Sequence, residues 1–236
     1  MHSNRYTFIY SICISVLTAI VLVVTSVSLK PQQDFNIALD TKSNILKSVL
    51  IEKSDPKEIE DIYGKEVTEL VVNSRGEVLN ELKAKDILLK EELAKPLEKR
   101  NLPLYVHSEV NGKKNYVIPL QGVGLWGPIW GFIAIESDFN TVKGSFFDHK
   151  SETPGLGAEI SEKLFQNQFV GKKLKDASNR FISVRVVKKS AKVDFTTENR
   201  VDGISGGTIT SDGTDLMIKN CIAPYLVYFD KLKTNK

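Results

Sequence analysis

Asp202-Gly203-Ile204-Ser205-Gly206-Gly207-Thr208-Ile209-Thr210-Ser211 gathers glycines and hydroxyls just ahead of the last helix-like run, Asp212 to Leu232. Gly203, Gly206 and Gly207 carry no Cβ, so the backbone can turn freely there and come close to a bulky group. Ser205, Thr208, Thr210 and Ser211 add hydroxyls. A helix beginning after them would aim its free N–H groups and the positive end of its dipole at the loop, which suits a phosphate. Taken alone, the stretch reads more simply as a polar loop ending in a helix N-cap. The rest of the chain decides between the two.

With 236 residues, the chain can hold one sizeable domain plus appendages, or two small domains. A net charge of +3, without a basic cluster interleaved with aromatics, argues against nucleic acid as a partner. Cys13 lies in an apolar run and Cys221 in the final helix, so neither a disulfide between them nor a zinc site is expected. His2, His107 and His149 are scattered and form no ligand cluster.

Thr7 to Leu29 has no charged residue and is rich in Ile, Val and Leu. A helix of ~20 such residues spans a bilayer core. A cleaved signal peptide has an apolar core of only ~7–15 residues and a small-x-small cleavage site. Val24-Thr25-Ser26-Val27-Ser28 makes a poor site, so an uncleaved single span over residues 7–29 is expected. His2 and Arg5 precede it and Lys30 follows. The balance leans toward a cytoplasmic N-terminus, residues 1–6, with everything after Lys30 outside the cytoplasm.

Beyond the span, residues 30–100 read as a membrane-proximal helical or mixed region. Pro31 to Leu50 continues with apolar residues near a helical period. Asp55-Pro56-Lys57-Glu58 has the form of an N-cap, an N1 proline and a capping-box glutamate, with Gly64 ending that helix. Val67 to Val72 is strand-like, Asn73 to Gly76 a turn, and Lys83 to Arg100 a solvated helix. Within residues 101–236, Leu104 to Val110 and Asn115 to Leu120 flank Asn111-Gly112, a strong hairpin signal. Further strands are expected at Ile129 to Glu136, Thr141 to Phe147 and Phe181 to Lys188, with a helical stretch at Glu159 to Gln166. The sum is an α+β fold: one N-terminal transmembrane helix, then a curved, largely antiparallel sheet with flanking helices.

Two other segments share the character of Asp202–Ser211. Gly122-Val123-Gly124-Leu125-Trp126-Gly127 sets a flat aromatic between glycines, either a turn with Trp126 in the core or an apolar wall for a planar ligand. It fits the letters G-x-G-x-x-G, but Trp126 and the lack of a following helix speak against a dinucleotide fold. Glu152-Thr153-Pro154-Gly155-Leu156-Gly157 can wrap a ring system with backbone N–H groups. Three such loops in one small domain point to one shared pocket.

On these segments the chain resembles the C subunit of the sodium-translocating NADH:quinone oxidoreductase, a bacterial respiratory sodium pump. The resemblance covers nearly the whole chain. Its Asp202–Thr210 segment is similar to that family's covalent flavinylation signature, usually Ser-Gly-Ala-Thr-x-Thr after an Asp, with Gly207 in place of the alanine. The signature alone also occurs in the related G subunit of a ferredoxin:NAD reductase complex, and an anchored extracytoplasmic ligand-binding module remains a third reading.

The resemblance implies FMN joined through its phosphate to a threonine, Thr208 by motif position, with Thr210 the rival hydroxyl. Ser205, Gly206, Gly207 and Ile209 would surround that anchor, and Asp202 would belong to the signature read by a flavin transferase that uses Mg²⁺. Leu125 and Trp126 would pack near the isoalloxazine. Glu152, Thr153, Leu156 and Gly157 would line its other side or bond its polar edge. Lys188 would hold the phosphate or a reduced flavin. Thr210 and Ser211 would cap the helix or bond the phosphate. The chain would then relay electrons from NADH toward quinone within an assembly of six subunits in the bacterial inner membrane, with no catalytic acid or base and no metal of its own.

Overall fold

A computed structural model describes residues 4–190 and 196–234; His2, weighed above among the residues flanking the span, lies outside them. The chain forms two compact units, Met1–Thr41 and Lys42–Lys236.

Helix α1 runs Asn4–Ser48, continuing through Pro31. It is the one helix, among the described residues, long and apolar enough to cross a membrane. Its most apolar 18-residue window has a mean hydropathy of 2.6 and no buried residue. Phe8, Leu17 and Leu22 are exposed. An apolar helix without a protein partner is stable where lipid takes the partner's place.

In the second unit, α2 (Pro56–Glu66) leads into β1 (Val67–Asn73). Strands β2 (Asn101–Ser108), β3 (Lys114–Val123), β4 (Pro128–Ile135) and β5 (Val142–His149) follow. They form one antiparallel sheet in chain order, β1 to β5. The β2–β3 hairpin closes at Asn111-Gly112, where Gly112 has φ +81° and Glu109 N–H donates to Lys113 C=O at 2.8 Å. Next come α4 (Lys163–Gln166), the parallel pair β6 (Arg185–Val187) and β7 (Arg200–Asp202), α5 (Thr208–Ile222) and α6 (Leu226–Thr234). Helix α5 covers one face of the sheet. Its Met217, Ile218, Cys221 and Ile222, followed by Tyr225, repeat at helical spacing and join Ile118, Ile129 and Phe147 in the core. Each large apolar side chain buried this way contributes roughly 1.5–3 kcal/mol. Tyr225 OH donates to Pro103 C=O at 2.6 Å, so the buried phenol is satisfied.

Several expected elements change. Lys83 to Arg100 is not one solvated helix: it breaks into a 3₁₀ turn at Ala84–Asp86, α3 (Leu89–Ala94) and a second 3₁₀ turn at Leu97–Lys99. Pro96 cannot donate within a helix and disfavours helical Lys95. Leu89 and Leu93 pack on the core, and buried Glu92 accepts the Asn101 N–H at 2.9 Å. Helix α2 runs past Gly64 to Glu66; space around Gly64 is open, so nothing forces a stop there. Asp55 caps α2 through the Lys57 N–H, whereas Glu58 pairs with Lys53 at 2.9 Å. The stretch Glu159 to Gln166 divides into a 3₁₀ turn, Gly157–Ser161, and α4. Only Arg185–Val187 of Phe181 to Lys188 is strand. The last helix starts at Thr208 rather than Asp212 and is interrupted by a 3₁₀ turn at Ala223–Tyr225, where Pro224 falls.

Buried Asp215 fastens α5 to β6. It accepts from Arg185 Nε and Nη2 at 2.9 Å each and from Val186 N–H at 2.8 Å. That hydrogen-bonded carboxylate raises the Arg185 pKa above its ordinary value. Replacing Asp215 with Ala should cost about 1.5–3 kcal/mol, the worth of hydrogen bonds to a charged group. The thermal midpoint of the full chain in detergent should fall by roughly 5–10 °C. Leu216→Ala, on the exposed face of the same helix, should change stability by less than about 0.5 kcal/mol.

Candidate cofactor site

Three loops meet on one carboxylate. Glu152 is 5% exposed. Its Oε1 accepts the Trp126 N–H at 2.8 Å and its Oε2 accepts the Thr210 hydroxyl at 2.6 Å. Glu152 N–H donates to His149 Nδ1 at 3.2 Å, and Ser151 Oγ donates to Trp126 C=O at 3.2 Å. The β3–β4 loop, the segment after β5 and the first turn of α5 are thereby held together. Two glycines make room for this carboxylate. A Cβ on Gly124 would lie 2.6 Å from Glu152 Oε1, and one on Gly157 would fall on Glu152 Oε2 and Thr210 Oγ1.

Gly207 is the N-cap of α5, and among the described residues no side chain supplies a capping bond. Ser211 N–H makes the first helical bond, to Gly207 C=O at 2.9 Å. The N–H groups of Thr208, Ile209 and Thr210 precede it and point toward the loop. Thr210 and Ser211 do not cap the helix, contrary to the sequence expectation. They sit inside its first turns, buried, with Thr210 bonded to Glu152 and Ser211 Oγ accepting the Ile204 N–H at 2.9 Å. Thr208, at the first helical position, is exposed. Gly206 adopts φ +77°, which L side chains rarely take, and a Cβ there would meet Leu156 Cδ2 at 2.6 Å.

Two hollows adjoin Thr208. The first, ≈ 350 Å³, is walled by Leu125, Trp126, Leu156 and Ile209, with Glu152, Thr153, Gly157, Gly206, Gly207 and Thr210 completing it. The second, ≈ 540 Å³, is lined by Lys188, Ser205, Ile204, Ser211 and Gly206. Thr208 borders both. Trp126 is not a core residue: it is 65% exposed and borders the first hollow. Of the residues singled out from the sequence, Asp202 alone borders neither hollow. It ends β7, with its carboxylate 3.6 Å from Arg200 Nη2. Lys189, Ser190 and Asp212, which no motif in the sequence singles out, also line the second hollow. Asp212 follows Thr208 by four residues, so a helix begun at Thr208 would have placed both on one face. Burial pushes the Cys221 thiol up to about 11, so it stays protonated within the core.

Apolar walls for a planar ring, an exposed hydroxyl and a helix N-terminus beside a lysine suit a flavin phosphate. Residues 124–223 match the FMN-binding domain family, which gives the class to which this fold and site belong. The C subunit of the Na(+)-translocating NADH-quinone reductase from Haemophilus ducreyi is 30% identical over 92% of this chain and 91% of its own length. That from Vibrio vulnificus is 31% identical over 85% of this chain and 83% of its own length. The crystal structure of the same C subunit from Parabacteroides distasonis superposes with a TM-score of 0.76 at 39% identity, covering 85% of this chain and 96% of that one. Shewanella oneidensis NqrC gives 0.68 at 26% identity, covering 83% and 97%. The chain belongs to this family, the C subunits of the Na(+)-translocating NADH-quinone reductase.

Gly157→Ala should wedge a methyl against the Glu152–Thr210 bond. Overpacking of this kind costs about 1–3 kcal/mol. Thermal unfolding of the full chain should show the loss, and Gly64→Ala, in open space, should not lower the midpoint.

Proposed function

We propose that this chain holds FMN through a phosphoester on the Thr208 hydroxyl and works as an electron-carrying subunit on the route from NADH to quinone. The observation that carries the choice of Thr208 is a contrast between neighbours. The Thr208 side chain is exposed where the two hollows meet, whereas Thr210 is 1% exposed and its hydroxyl is bound to Glu152. Only the first presents an oxygen to a modifying enzyme without dismantling the loop junction.

The residues divide the binding between them. Leu125, Trp126 and Leu156 offer apolar walls to the ring and keep water from it. The N-terminus of α5 favours the phosphate charge, and Lys188 adds a cation from the second hollow. FMN supplies reversible electron transfer; the protein fixes its place and tunes its potential through nearby charge and dryness. No side chain has to move a proton for this role. Thr153, Ser205, Gly206, Gly207 and Ile209 complete the surround, and Asp202 belongs to the signature met by a flavin transferase with Mg²⁺. Residues 7–29 anchor the chain as a single span, residues 1–6 lie in the cytoplasm, and the flavin-bearing part (residues 101–236) lies outside it, beyond a membrane-proximal region at residues 30–100. NADH and quinone are handled by the other members of the membrane complex.

The test is the intact mass of the full chain co-expressed with a flavin transferase, with in-gel fluorescence of the denatured band. The wild-type chain should carry one FMN-sized increment and Thr208→Ala none. An increment that survives Thr208→Ala would refute the assignment.

A further inference from the structure

Glu152 stands out among the residues around the first hollow because each of its oxygens already accepts a hydrogen bond from the protein. One bond holds the backbone of Trp126, an exposed residue that borders the hollow. The other holds Thr210, two residues after Thr208. The turn bearing Thr208 has a glycine N-cap, which brings no capping side chain of its own, and the Thr210 hydroxyl ties it to the segment after β5. Gly124 and Gly157 leave the space that the carboxylate fills. We propose that Glu152 is a positioning residue: it fastens the Trp126 wall and the first turn of α5 into one piece, and acts on the flavin through these two groups rather than by a bond of its own. The inference rests on Thr208 as the acceptor, since what Glu152 sets is the register of that hydroxyl against the ring hollow.

Glutamine separates this role from a direct one. Its amide oxygen can accept the Trp126 N–H while its NH₂ donates to Thr210 Oγ1, because a hydroxyl serves as donor or acceptor. Charge is lost and the junction is kept. The experiment uses the full chain co-expressed with a flavin transferase and follows FMN incorporation by intact mass, the flavin's visible circular dichroism and the thermal midpoint. Glu152→Ala should slow incorporation by about tenfold to a hundredfold, the upper end being the cost of misplacing a reacting group by about 1 Å. Its residual flavin should show an altered dichroism. Thr210→Val should shift both readouts in the same direction, and Glu152→Gln should restore both to near wild type.

Wild-type incorporation and dichroism in Glu152→Ala and Thr210→Val would overturn the proposal. So would Glu152→Gln as defective as alanine, because the carboxylate would then act on the cofactor directly. If Glu152→Ala does not fold, the Thr210→Val and Glu152→Gln arms decide by the same criteria. A wild-type chain without FMN, or with FMN that survives Thr208→Ala, would instead overturn the acceptor assignment, and this inference with it.

Discussion

A carboxylate withdrawn from water must find hydrogen-bond donors, and Glu152 finds its donors on two segments remote in sequence. Trp126 lies 26 residues before it and Thr210 58 residues after it. The sheet supplies the frame for that meeting. Strands β3 and β4 present the Trp126 loop, β5 delivers Glu152 at its end, and α5 lies across the sheet with its N-terminus at the same edge. The apolar contacts of Met217, Ile218, Cys221 and Ile222 fix where α5 lies, and Asp215 fixes it against β6. The site is therefore a consequence of core packing, with the carboxylate closing the last gap.

The geometry of a helix explains how one signature carries two threonines with different fates. Each residue turns the chain by about 100°, so positions two apart point to nearly opposite sides. Thr210 faces inward and is absorbed into the junction. Thr208 faces outward between an apolar hollow and one lined by Lys188 and Ser205. In the sequence only motif position favours Thr208, because spacing alone leaves both threonines as hydroxyls of one loop ahead of a helix at Asp212. Beginning it at Thr208 puts both threonines on a helix and separates them.

Much of the fold was legible. The apolar run, the Asn111-Gly112 hairpin and the alternating strands were readable from residue type and period, since local chemistry determines them. Leu125, Trp126, Glu152, Thr153, Leu156 and Gly157 share a loop character in the sequence, and they border one hollow with the glycine-rich stretch. What was not legible depends on tertiary partners. Nothing local says that Lys83 to Arg100 breaks up to place Leu89 and Leu93 on the core, or that Ser211 spends its hydroxyl on Ile204. Gly207 has the residue type of a loop, because glycine is a weak helix signal, yet it serves here as an N-cap. The role of Glu152 was likewise invisible: a carboxylate in a Pro-Gly loop reads as a ligand contact until its two donors are seen.

The most direct measurement is an experimental structure of the full chain carrying its flavin. The phosphate should sit on Thr208 Oγ1, the isoalloxazine in the hollow walled by Leu125, Trp126 and Leu156, and Glu152 should still be bonded to Trp126 N–H and Thr210. A ring seated in the Lys188 hollow, or Glu152 turned away from Thr210 to bond the flavin, would contradict it.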